Sequence, residues 1–462
     1  MRICPKCGKE NSNNAVHCGK CGAVLIKKEN GKSNSKGVIA AGIGGFAAVL
    51  LIGGLFLFKG NNSAGKKDTE TAENGTSQTE SEIIDSQAQA ENSETVSTAE
   101  QTTDTNNDTQ ERTKWEDAVL EEAMRKITGN SSDDFSPEDV TDLTTLDLSA
   151  SIGDKTIKNI TALAKLTNLK ELNLKSNEIT DINPLSELNK LENLNVGFNK
   201  LDNVEALSGL VNLEHLDIAG NEITDIKALS DLHKLKTLHL GYNQISDISI
   251  LSEFPELETL SLSKNPVTDF SVLSDLKKLN ELEMTNSSIS DIGFLSELTS
   301  VKILWLSDNQ ISDLQPLSNL RNLNRLVIHY NRISDLTPLS DLENLTSLDL
   351  WNNNIRDLSG LEKITSLKKL WLTDNQVTDV SALSELTDLE YLTVRNNEVK
   401  DVSALSTLVN LKELYLNENP VKDISALYGL TQLKILNVED TDVSQEQIDA
   451  FMEAVPDCEV RY

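Results

Sequence analysis

The residues best placed for chemistry stand near the start of the chain: Cys4-Pro-Lys-Cys7 and Cys18-Gly-Lys-Cys21, with ten residues between the pairs. Two Cys-x-x-Cys knuckles, each followed by glycine (Gly8, Gly22), supply the four thiolates of a tetrahedral zinc site. Cys4, Cys7, Cys18 and Cys21 are therefore the expected ligands of a zinc ribbon over residues 1–26. His17 adjoins Cys18 but is a bystander, because four thiolates complete the site. So small a domain cannot fold on apolar burial alone, and the metal would be its core. A disulfide knot is the other use of four cysteines; paired knuckles favour the metal.

Catalytic chemistry has little to build on. Glu281 and Glu283 alternate on one strand and resemble an acid–base pair, yet no oxyanion or metal partner accompanies them. His-Glu-x-x-His, Gly-x-Ser-x-Gly, phosphate-loop and Gly-x-Gly-x-x-Gly strings do not occur in the sequence. The expectation is a binding protein, not an enzyme.

Aromatic residues form the third group. Three of the four tryptophans (Trp305, Trp351, Trp371) and four of the six tyrosines (Tyr242, Tyr330, Tyr391, Tyr415) recur beside the leucines of short strands. Phe198, His215, His239 and His329 share those positions. Exposed tryptophan and tyrosine in groups mark recognition surfaces. Stabilisation by cross-strand pairing, at about 0.2–1 kcal/mol a pair, is the plainer reading.

What holds these residues in register is a 22-residue repeat running from Asn177 to Asn419, Leu-x-x-Leu-x-Leu-x-x-Asn-x-Ile-x-Asp-Ile-x-x-Leu-x-x-Leu. Leu169, Leu172, Leu174, Asn177, Ile179, Ile182, Leu185 and Leu188 make one copy; Leu345, Leu348, Leu350, Asn353, Ile355, Leu358, Leu361 and Ile364 make another. A fixed period in this range marks a stacked solenoid, and the string is the leucine-rich-repeat signature. Leu-x-Leu is a half-buried strand, and Ile-x-x-Leu-x-x-Leu has the period of tight helical turns. The predicted fold is an α/β leucine-rich-repeat solenoid over residues 143–443, with parallel strands on a concave face and 3-10 or irregular turns on the convex face. No coil buries its apolar side chains alone, so stability would come from nearest-neighbour stacking. The asparagine would satisfy buried backbone groups, and only Ser287 breaks its register. The aspartate four residues later, replaced once by Asn203, would cap the following turn. A calcium ladder would need several carboxylates on one loop.

Open solenoid ends need covers. Residues 113–142 are predicted as a helical cap, with a capping box at Thr113 and Glu116 and an apolar face of Trp115, Val119, Leu120, Met124 and Ile127. Ser136-Pro137 would start a second short helix. Residues 444–462 form the other cap, with a box at Ser444 and Gln447 and a last strand near Cys458–Val460. Trp115 and Cys458 are expected to pack, not to act.

Ahead of the array, Val38–Phe58 holds 21 residues without a charge, enough to span a bilayer as a helix. The 37 residues before it carry eight Lys or Arg against two acids. That bias places the amino terminus in the cytoplasm and the repeats outside, as a single-pass cell-membrane protein. Residues 59–112, rich in Ser, Thr and acids, read as a disordered tether. Its ends would lie roughly 40 Å apart as a coil and about 180 Å at full stretch.

Helical cap, long first coil and Asn-x-Ile-x-Asp-Ile repeats together resemble the internalin-type leucine-rich-repeat proteins of Gram-positive surfaces, over about residues 113–462. The ribbon followed by one span is similar to a zinc-ribbon membrane architecture of the same bacteria. Two departures are a missing cleavable signal and a missing Leu-Pro-x-Thr-Gly sorting motif, so anchoring by the chain's own helix is expected. Host targets of some internalins do not transfer by resemblance.

The binding surface is expected on the concave face, with Trp305, Trp351, Trp371, Tyr330, Tyr391 and Tyr415 as apolar anchors and Arg325, His329 and Arg395 setting polarity. Neighbouring strands lie about 4.8 Å apart, so Trp351 and Trp371 would sit side by side. A protein or peptide is the first-choice ligand and cell-wall glycan the second; signalling or envelope organisation through the cytosolic ribbon is a third role. Residues 113–462 hold 59 acids and 30 bases. Such a surface repels phosphate, which excludes nucleic acid and favours basic partners.

Overall fold

The computed structural model describes residues 2–3, 10–11, 112–151 and 155–462. The chain divides into two compact units, Met1–Thr102 and Thr103–Tyr462. In the first, strands Arg2–Ile3 and Glu10–Asn11 pair antiparallel, with Arg2 opposite Asn11. The four expected zinc ligands, the apolar run and the tether lie outside the described residues. No helix among the described residues is long and apolar enough to cross a membrane.

The second unit is a solenoid. Fifteen three-residue strands, from Thr145–Asp147 to Glu459–Arg461, form one parallel sheet in chain order. Residues 22 apart share a rung, so Leu326 stands beside Leu304 and Leu348. Between strands, most coils turn through a short 3-10 helix such as Asn183–Leu185 or Ser403–Thr407. The leucines and isoleucines of every coil point into one continuous core. Burying each such side chain contributes about 1.5–3 kcal/mol, an upper estimate because unfolded chains are partly compact.

Asparagine does what its amide permits. Asn353 Nδ2 donates to Ile328 O at 3.2 Å and Leu350 O at 3.0 Å, while its Oδ1 accepts from Ile333 N at 3.0 Å. One side chain thus ties two coils, and the pattern recurs from Asn177 to Asn419. At Ser287 the hydroxyl is too short for this. It accepts from Lys264 N and donates to Thr285 O, both at 3.3 Å, leaving the Val267 position without the side-chain acceptor its counterparts have. The residue before each asparagine is left-handed, with φ from 50° at Asn396 to 69° at Gly220. Asn and Asp tolerate that bend; Phe198, Tyr242 and Tyr330 carry bulk into it at a cost.

The aspartates cap as expected, but from one place earlier. Asp335 Oδ1 accepts from Thr337 N at 2.9 Å and Asp423 Oδ1 from Ser425 N at 2.9 Å, while the hydrophobic residue between holds the formal cap position. These bonds lower the carboxyl pKa of Asp335, led by the Thr337 hydroxyl, and of Asp423, led by the Ser425 amide. Coil 343–364 turns without a 3-10 helix. Gly360 at φ 102° lies so close to Leu336 that a Cβ there would meet its carbonyl oxygen at 2.6 Å.

Both ends are covered. Helix Ala118–Thr128 is capped by Asp117, whose Oδ1 accepts from Val119 N at 2.8 Å and Leu120 N at 3.1 Å. This replaces the expected Thr113–Glu116 box: Thr113 instead donates to Glu138 Oε1 at 2.6 Å, and that bond holds the Glu138 carboxyl down to about 2. Trp115 stacks on Phe135 at 5.3 Å, as a packing residue should. Ile127, assigned to the apolar face, is exposed, because the helix ends one residue later. Pro137–Val140 forms the second short helix. At the far end, Ser444 caps Gln445–Ala454, but Gln447 turns outward and its Oε1 accepts from Ile424 N at 2.8 Å, fastening the cap to the array. Strand Glu459–Arg461 closes the sheet beside Ile435–Asn437.

Candidate functional site: the open face of the sheet

Since alternate strand residues point to opposite faces, side chains between the leucines line the face away from the core. The sequence-predicted binding residues fall there in four rows. Tyr391 and Arg325 lie in the first row, Trp305, Trp371 and Tyr415 in the second, and His329, Trp351 and Arg395 just past the strands. Tyr330 occupies the left-handed position and is swung beside them. Most of these rings are half-buried by each other; Tyr330 is 39% exposed.

The rings form two groups. In one, Tyr330 and Trp351 are 4.7 Å apart at 62°, and His329 meets both, at 5.7 Å and 5.6 Å. Carboxylates take the polar edges: Trp351 Nε1 donates to Asp374 Oδ2 at 2.7 Å, and His329 Nδ1 lies 3.1 Å from Asp349 Oδ2. In the other, Trp371, Tyr391 and Tyr415 follow one another at 5.0 Å and 5.6 Å, tilted by 37° and 42°. Burial pushes the Tyr391 phenol up to about 12. Burial also raises that of Tyr415, aided by Glu413, which accepts its hydroxyl proton at 2.9 Å.

Trp351 and Trp371 do not share a rung. They are 20 residues apart, not 22, and Trp371 stands opposite Asp349. Arg395 is held by Glu418, its Nε donating at 2.9 Å and a terminal nitrogen lying at 2.7 Å. The Arg325 guanidinium sits 5.7 Å from the Trp305 ring; burial lowers its pKa, against the pull of Asp349 and Glu281. Glu281 itself is raised by burial and by Glu283, with Arg325 opposing.

Sequence reasoning missed the ionic partners of the rings. Lys175 Nζ lies 5.2 Å from the Phe198 ring and Lys264 Nζ 5.4 Å from the Tyr242 ring. Asp349, Asp374 and Glu413 were likewise not singled out. The signal was available for Lys264, which follows Tyr242 by one period. Among the described residues, five buried side-chain polar atoms have no hydrogen-bond partner, and three of them (Ser307 Oγ, Arg325 Nε, Asn417 Oδ1) belong to this face. Unpaired buried polar groups are costly, and here they gather where the rings do. No cluster of His, Cys, Asp or Glu among the described residues could hold a metal ion.

A solenoid with a uniform interior and an irregular, ring-bearing face is the form of a binding scaffold. Comparison with known proteins agrees on the class. The family described as "Leucine Rich repeats (2 copies)" matches residues 167–209, 211–253, 255–297, 299–341, 343–385, 365–407, 387–428 and 409–449. The chain belongs to the leucine-rich-repeat family, and its array is internalin-like. A crystal structure of an internalin (inlF) from Listeria monocytogenes is 33% identical, with a TM-score of 0.59, over 75% of this chain and 94% of that one. A leucine-rich-repeat protein of Leptospira interrogans shares the fold at 21% identity and TM-score 0.60, over 71% of this chain and 97% of that one. So does the plant peptide hormone receptor RGFR1, solved in complex with RGF2, at 20% and 0.54, over 65% of this chain and 52% of that one. No curated protein sequence matches.

Proposed function

We propose that this is a membrane-anchored extracellular binding protein that captures a protein or peptide ligand on the open face of its solenoid. One observation carries the reading: the rings of five coils, Tyr330 to Tyr415, gather into two groups on the face away from the core. Trp305, Trp351, Trp371, Tyr391 and Tyr415 supply anchors, and Arg325, His329 and Arg395 orient the ligand. The mechanism is passive recognition with no catalytic step. A plant receptor with the same fold was solved with its peptide, which supports a peptide-sized ligand for the scaffold. The apolar run Val38–Phe58 would anchor the chain, with the amino terminus cytoplasmic and residues 59–112 as tether. Cys4, Cys7, Cys18 and Cys21 would hold a structural zinc ion on the cytoplasmic side. The pairing of Arg2–Ile3 with Glu10–Asn11, on either side of Cys4 and Cys7 in sequence, is in keeping with a ribbon.

The shallow tilt of Trp371, Tyr391 and Tyr415 favours one second reading, a flat platform for an envelope glycan. Binding by the full chain in detergent, compared with a Trp371→Ala/Tyr391→Ala variant, tests the proposal. Loss of a protein ligand supports it; loss of chitotetraose binding alone would move the assignment to glycan.

A further inference from the structure

Two halves of the open face treat their rings differently, and the difference defines the ligand's chemistry. On the early coils the chain supplies its own cations: Lys175 lies over Phe198 and Lys264 over Tyr242. Trp305, midway, is met by Arg325. On the later coils carboxylates take the polar edges of the rings, Trp351 donating to Asp374 and Tyr415 to Glu413. The charges of Asp374 and Asp308 act on the Tyr330 phenol and those of Glu413 and Asp349 on Tyr391, as Glu283 and Asp308 act on Tyr242. Arg395, four residues past Tyr391, is already engaged by Glu418, and Lys369 shares a rung with Tyr391.

We propose that the later coils bind a basic peptide segment, its Lys or Arg side chains lying over Tyr330, Trp371, Tyr391 and Tyr415 between Asp308, Asp349, Asp374 and Glu413. This rests on the docking face described above and names its ligand class. A cation over an aromatic face is attracted by the ring quadrupole, and a carboxylate at the ring edge completes the site. The early coils carry the same arrangement in internal form, with lysine in the ligand's place. The excess of 59 acids over 30 bases beyond residue 112 would draw a basic segment in.

The test uses the full chain in detergent and four probes: tetra-arginine amide, a tetra-glutamine control, tetra-glutamate and chitotetraose, followed by tryptophan fluorescence and calorimetry. Tetra-arginine should bind about tenfold tighter than tetra-glutamine, the size of one partly desolvated cation–π contact. Asp349→Asn/Asp374→Asn and, separately, Glu413→Gln should each weaken it. Glu297→Gln/Glu385→Gln, which removes two exposed acids from turns away from the sheet, should not. Unfolding midpoints identify any variant that has lost its fold, in which case Glu413→Gln decides. Equal weakening by the turn variant would reduce the effect to net charge and overturn the proposal. Tetra-glutamine bound as tightly as tetra-arginine, and lost in Trp371→Ala, would overturn the basic class while leaving the docking face intact. Chitotetraose bound in preference, and lost in the same variant, would overturn both in favour of glycan.

Discussion

The inner and open sides of the same strands obey opposite rules. On the inner side, the coils repeat their leucines and, except at Ser287, their asparagine, and the bonds of Asn177 are those of Asn353 eight coils further along. On the open side, hardly any two coils agree: His215, Glu281, Arg325 and Tyr391 occupy one row, and Asp217, Trp305, Asp349 and Tyr415 another. A stacked core must be uniform, because every coil is its neighbour's floor. The open side has no such duty, so its rings and unpaired polar atoms are free to differ from coil to coil.

The comparison breaks most visibly at the ladder. Asn353→Ala removes the acceptor of Ile333 N and the donor to three carbonyls, so denaturant unfolding should show a loss of about 3 kcal/mol, the scale of several buried groups left unpaired. Ligand affinity of the protein that remains folded should be unchanged. Trp371→Ala/Tyr391→Ala should do the reverse. Affinity should fall beyond detection while stability drops by about 1–2 kcal/mol, because these rings are half-buried and pack on each other. Ser287→Asn should sharpen the rule by repairing the one broken rung, raising stability by about 1 kcal/mol in the same assay. Glu281→Gln should give the smallest effect. Burial and Glu283 raise its pKa, so the ionised form costs stability above the ordinary glutamate range. The variant should gain a few tenths of a kcal/mol at neutral pH, a gain that disappears as pH falls below that range.

Legibility in the sequence follows the same division. Leu-x-Leu and the recurring asparagine announced the core and its bonds, because a period of 22 admits one stacking. The rows of the open face were also readable, since alternation puts the residue between two leucines outside. Partnership across rungs was not. Spacing alone placed Trp351 beside Trp371, but rung partners differ by 22 residues, and the left-handed bend at Tyr330 brings a ring from outside the strand into the Trp351 group. The capping box at Thr113 misled for a related reason. Asp117 fits the cap and also accepts from Lys158 N and Asn159 N, contacts 41 and 42 residues away that no local pattern reveals.

The central claim is that the ring groups meet a ligand instead of bracing the sheet. Its most direct measurement is the ligand affinity and unfolding free energy of the full chain and of Trp371→Ala/Tyr391→Ala, determined on the same preparations. The account predicts lost binding with the cooperative unfolding transition retained. Retained binding, or collapse of the fold with no ligand ever detected for the unaltered chain, would contradict it.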